Sequence, residues 1–124
     1  PGNVVILGTM NTADRSIALV DHALRRRFSF LALPPNYDIL RKFHSGSEFD
    51  TAGLIGVLEQ LNMAIGDRQY SIGVSFFLDH DIKNKAQDIW QTEILPYIEE
   101  YFFDQPDKAT NYCWDRVKNK IGIL

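Results

Sequence analysis

Cysteine is all but missing from this chain: Cys113 stands alone among 124 residues, which excludes an intrachain disulfide and a fold held by cross-links. That usage fits a reducing cytoplasm, and the neighbours Tyr112 and Trp114 mark Cys113 as a packing residue of a helix rather than a reactive thiol. No apolar run approaches the ~20 residues a membrane helix requires, and no leader-like segment is visible. Basic charge is in deficit. With 13 Lys and Arg against 16 Asp and Glu, the net charge is −3, which argues against a module that grips nucleic acid through its phosphates. His22, His44 and His80 are scattered, and Asp79-His80-Asp81 lacks companion ligands, so no metal site is expected. There is no Gly-x-x-x-x-Gly-Lys-[Ser/Thr] run to cradle nucleotide phosphates, and the first apolar segment does not end in the acidic pair that holds magnesium. Nor is there a Ser-His-Asp or paired-carboxylate pattern. Glu99-Glu100 lie beside the inward-facing Ile98, Tyr101 and Phe102 and read as a solvated face. What is present is a 45% apolar composition, enough for one domain with a real core and too much for intrinsic disorder.

Two short strands are expected near the start. Residues 3–8 form a continuous β-branched run of the kind buried on both faces of a parallel sheet. A helix follows, with Ser16 as cap, Ile17, Leu19 and Val20 on an apolar side, and Arg25-Arg26-Arg27 at its C-terminal end. A second strand at 28–33 stops at Pro34-Pro35, which cannot donate to a ladder. The rest reads as helix: 37–44; 50–65, with Asp50 as N-cap, Leu54, Leu58, Leu61 and Ile65 on one face, and Gly66 as stop. Residues 70–78 read as irregular and half-buried. Helix returns over 81–103, with a kink or restart near Leu95 imposed by Pro96. Asp104-Gln105-Pro106 breaks it, and a last amphipathic helix carries Tyr112, Cys113 and Val117 before Gly122.

Two features point to chemistry. Asn11 follows an apolar strand, where open α/β sheets place groups that contact ligands. A carboxamide there can hold an attacking water or a terminal phosphate oxygen, and the same residue is equally at home as a turn former. Thr12, Asp14 and Arg15 crowd the same turn, with helix capping as the alternative role of Asp14 and Ser16. The arginine triplet likewise has two readings. It complements a helix dipole, or it supplies a guanidinium to a phosphate held by another subunit, worth about 10³–10⁵ in rate. Three consecutive arginines are ~100° apart around a helix and cannot all serve one partner.

Met10-Asn-Thr-Ala-Asp-Arg-Ser16 with Ala23-Leu-Arg-Arg-Arg-Phe28 resembles the signature region of the McrB family, GTP-hydrolysing AAA+ subunits of restriction systems directed at 5-methylcytosine. Tyr70-Ser-Ile-Gly-Val-Ser-Phe-Phe77 and Ile94-Leu-Pro-Tyr-Ile-Glu-Glu-Tyr-Phe-Phe-Asp104 are similar to segments of that family's helical part, although the family often has Ile-Gly-His-Ser-Tyr-Phe where this chain has Val74 and Phe76. The resemblance implies a fold that is mainly α with a small β part. Residues 1–35 would be the end of an AAA+ nucleotide-binding core and residues 36–124 its helical lid subdomain, making the chain a C-terminal fragment. It implies Asn11 as the sensor-1 residue that orders the hydrolytic water, and Arg26 and Arg27 as fingers reaching the neighbouring subunit's nucleotide. Asp14, Arg15 and Thr12 would belong to the interface that reads nucleotide state. GTP and magnesium would be bound by the intact protein and by no part of this chain. Its partners would be a homo-oligomeric ring, a separate nuclease subunit, and DNA held through a domain absent here.

Two rivals stand beside this reading: another AAA+ motor that uses ATP, and a non-enzymatic helical interaction domain with the arginines as a docking patch. In the sheet the resemblance implies, the strands at 3–8 and 28–33 are not neighbours. Their edges would be left unpaired, so the two are expected to pair directly or to borrow strands from a second copy in a dimer caused by truncation.

Overall fold

The computed structural model describes residues 2–10 and 22–123. The chain divides into two compact units, Pro1–Leu33 and Pro34–Leu124. In the first, helix α1 (His22–Arg27) is extended by one further turn bond, from Phe28 N–H to Leu24 O at 3.2 Å. The strands expected at 3–8 and 28–33 are not formed: among the described residues there is no strand, and neither segment pairs with the other. Val5, Leu7 and Leu33 are more than nine-tenths exposed. The reason is physical. A run destined to be buried on both faces becomes a strand only between neighbours that take up its backbone groups and cover its side chains, and β propensity alone supplies neither. The expected small β part is therefore corrected to exposed, irregular chain.

Among the described residues, all regular structure in the second unit is helical. After Pro34-Pro35, Asn36 opens α2 (Tyr37–Phe43) by accepting the Asp38 N–H at 3.0 Å, and Arg41 closes a 2.7 Å ion pair back onto Asp38. Helix α3 (Thr51–Ile65) begins at Asp50, whose carboxylate accepts from Ala52 N–H at 3.0 Å. It ends at Gly66, which takes the left-handed conformation (φ 70°) that favours glycine. Residues 68–70 and 75–77 form single 3₁₀ turns, so the segment between α3 and the next helix is irregular and half-buried as expected.

Helix α4 (Ile82–Ile89) runs without a break through a wide π turn (Trp90–Ile94) into α5 (Leu95–Tyr101). Pro96 explains the turn. Its ring cannot donate to Thr92 and would press on that carbonyl, so the helix widens just ahead of it and Leu95 N–H reaches Trp90 O, five residues back. The expected kink is thus a register change inside a continuous helix. Two short helices follow, α6 (Pro106–Thr110) and α7 (Trp114–Ile121). Pro106 starts α6, where its missing N–H costs nothing. The expectation that Tyr112 and Cys113 belong to the last helix is corrected: Tyr112 lies in the preceding turn and Cys113 is the N-cap of α7.

Leu54, Leu58 and Leu61 of α3, Ile82, Trp90, Ile94 and Ile98 of the long helix, Val117 and Ile121 of α7, and Phe77 from the 3₁₀ turn make one continuous core. Each is at most 2% exposed. Helix α7 lies so close to α3 that a Cβ on Gly53 would run into the Lys120 carbonyl. Among the described residues no helix is long and apolar enough to cross a membrane.

Candidate functional site

The residues expected to carry chemistry fall in the first unit. Asn11, Thr12, Asp14 and Arg15 lie outside the described residues. Arg25, Arg26 and Arg27 make up the last turn of α1, all three side chains exposed. None of them forms an ion pair among the described residues. The ~100° step of a helix sends the three guanidinium groups in different directions. An arginine turn at a helix C-terminus, with no carboxylate engaging it, can meet an anionic group brought by another molecule.

The helical unit is braced by polar side chains aimed at backbone groups. Asn62 on α3 donates from Nδ2 to the Ile72 carbonyl and the Tyr37 hydroxyl, each at 3.0 Å, and its Oδ1 accepts from Ile72 N–H at 2.7 Å. One carboxamide thereby ties α2, α3 and the irregular segment together. Tyr97 donates to Tyr70 O at 2.8 Å and Tyr101 to Ile65 O at 2.9 Å, fastening α5 to the end of α3 and the turn beyond it. Trp90 Nε1 donates to Tyr112 O at 2.8 Å, which seats the turn before α7 on the π turn. Burial pushes the Tyr97 phenol above its ordinary range, with Tyr70, Tyr101, Asp67 and Glu100 adding to the effect; burial alone does the same for Tyr112. At the surface, the hydrogen bond from Lys85 holds the Asp79 carboxyl below the usual range, and the same contact raises Lys85.

Among the described residues His44 is the one buried polar side chain, 3% exposed. Its Nε2 lies 2.8 Å from Phe77 O and Nδ1 has no partner, which assigns the Nε2–H tautomer. Edge contacts with Phe43 and Phe49 close the ring in. His80 stacks on Phe43 at 4.5 Å. Among the described residues no group of three His, Cys, Asp or Glu side chains gathers as a metal site. Where the resembling family often has a histidine and a tyrosine, Val74 is buried in this core and Phe76 is partly exposed beside it. An apolar contact therefore occupies the first position here.

Sequence reasoning missed Asn62, Tyr97, Tyr101 and His44 as determinants of the helical unit. A polar residue on the apolar side of a helix, as Asn62 is next to Leu58, Leu61 and Ile65, was the one available signal.

Comparison with known proteins agrees with this architecture. Residues 53–110 match the family model described as McrB, alpha-helical lid domain. The chain is 37% identical over 129 aligned residues to the type IV methyl-directed restriction enzyme EcoKMcrB subunit of Escherichia coli (strain K12). That alignment covers 90% of this chain and 28% of the relative, so the chain spans little more than a quarter of the length of the protein it matches. No solved structure matches it. A helical unit with this core, the lid match across α3 to α6, and an identity that extends over nine-tenths of the sequence lead to one assignment: the chain belongs to the McrB family.

Proposed function

We propose that the chain is the C-terminal part of an McrB-like AAA+ GTPase that powers methyl-directed DNA restriction. Residues 1–35 complete the nucleotide-binding core and residues 36–124 are its helical lid subdomain. GTP and magnesium are held by a P-loop and an acidic strand supplied from outside these residues. Asn11 acts as sensor 1 and orders the attacking water. Arg26 and Arg27 reach the nucleotide of the next subunit in a cytoplasmic ring, and Thr12, Asp14 and Arg15 relay its state across the interface. A separate nuclease subunit cuts the DNA. The observation that carries this reading is the 37% identity to a methyl-directed restriction subunit over 90% of the chain. The exposed arginine turn of α1 suits a role in trans, because no carboxylate of the described chain neutralises it.

The roles separate kinetically. A group that positions water acts in the transition state and contributes little to ground-state binding. The test grafts this chain into the E. coli relative in place of the matching stretch and measures GTP binding and hydrolysis. The graft is expected to hydrolyse GTP, and Asn11→Ala to lower turnover by about 10²-fold or more with affinity nearly unchanged. Equal loss of affinity and turnover would make Asn11 a structural turn residue. A folded graft that shows no nucleotide dependence would overturn the reading.

A further inference from the structure

We propose that an acidic groove on the helical unit, between α5, α6 and the start of α7, docks the arginine helix of a second copy of this chain. The groove is a depression of about 330 Å³ whose floor and walls include Leu95, Phe103, Pro106 and Cys113, with Glu99 and Thr110 at its polar positions. Phe103 is 80% exposed, an unusual setting for a phenylalanine at the end of a well-packed helix. The stretch that forms it is mainly acidic. From Glu99 to Asp107 the chain carries Glu99, Glu100, Asp104 and Asp107 and no basic residue. Glu99, Asp104 and Asp107 are exposed and enter no ion pair among the described residues. The one cation among residues 95–113, Lys108, lies over the ring of the lining residue Phe102 at 5.6 Å from its centre.

The complementary surface is on the same chain. Between Asp21 and Asp38 there are three arginines, Arg25 to Arg27, and no acid. Leu24, Phe28 and Phe30 flank them and are about half exposed. One unit therefore offers carboxylates around an apolar depression, and the other offers guanidinium groups beside aromatic rings. Arginine suits this pairing, since its planar fork meets carboxylates and its face stacks on an aromatic ring such as Phe103. The contact joins two different surfaces head to tail, the kind of contact that propagates into a ring or an open chain. It deepens the proposed trans role of the arginines. With guanidinium groups ~100° apart, Arg25 is the one free for the carboxylates when Arg26 and Arg27 face a nucleotide.

The 124-residue chain, without nucleotide, tests this by sedimentation velocity over a range of concentrations and salt. Expected is self-association that strengthens with concentration and weakens about tenfold or more between low and high salt. The variants R25E/R26E/R27E and E99K/D104K/D107K should each be monomeric with unchanged helix content. An equimolar mixture of the two should associate again, because each then offers the surface the other lost. E59K/D88K, off the groove lining, should behave as the parent chain. The proposal is overturned by a monomer at all concentrations, by association indifferent to salt and to both variants, by a mixture that stays monomeric, or by E59K/D88K abolishing association. Because nucleotide is absent, failure here leaves the GTPase reading standing, and failure of GTP hydrolysis in the graft leaves this contact untouched.

Discussion

At the scale of single residues, Asn62 shows how one side chain organises several segments. It sits on α3 one position after the buried Leu61 and uses both ends of its carboxamide on Ile72, ten residues away, while also meeting Tyr37. Removing it leaves the Ile72 N–H and carbonyl partly buried without partners, and an unmet buried polar group costs about 1–3 kcal/mol. Asn62→Ala is therefore expected to destabilise the chain by about 1–3 kcal/mol, read as a lower denaturation midpoint with an unchanged slope. Asn62→Asp keeps the acceptor for Ile72 N–H but loses both donors, so it should not restore stability. A midpoint within error of the parent for Asn62→Ala would mean that water takes over these bonds. His44 resists sequence reading for a related reason. Its partner, Phe77 O, lies 33 residues downstream, and a histidine at the C-cap of a short helix gives no sign that it will be enclosed by Phe43 and Phe49.

At the scale of elements, legibility follows how local the determinants are. Helix α3 is readable because its start, face and stop are all within it: Asp50 caps, Leu54, Leu58, Leu61 and Ile65 repeat on one side, and Gly66 turns left-handed. The arginine turn at the end of α1 is readable for the same reason. Short α6 is not, because five residues carry no periodicity. Nor is the π turn, which depends on how Pro96 disturbs the carbonyls behind it. The segments at 3–8 and 28–33 fail differently. Their composition suits a strand, but a strand is a property of a sheet, and no sheet stands among the described residues. Amide hydrogen exchange on the whole chain separates these cases. Residues 4–8 and 28–33 should exchange at nearly unprotected rates, whereas Leu54 to Leu61 and Trp90 to Ile98 should exchange only through global unfolding. Protection at 4–8 equal to that of α3 would show that the segment pairs with something, in this copy or another.

At the scale of the whole molecule, a helical unit with its own core is coupled in sequence to a first unit whose described apolar side chains are exposed. The enclosed core of the second unit suits a lid domain that holds its own shape. The candidate site has the same division. The sequence motif around Asn11 and the arginines marks residues whose proposed targets, a water and a neighbour's phosphate, belong to no part of this chain. The most direct measurement of that claim is complementation in the E. coli relative carrying this chain. One version has Arg26 and Arg27 changed to alanine, the other has its P-loop lysine removed, and GTP turnover is measured for each and for their mixture. Both should be nearly inactive alone, with losses of about 10³-fold or more for the arginine variant, and the mixture should recover activity because the P-loop-dead subunit lends its arginines to a neighbour's nucleotide. A mixture as inactive as its parts, or an arginine variant with undiminished turnover, would contradict that claim.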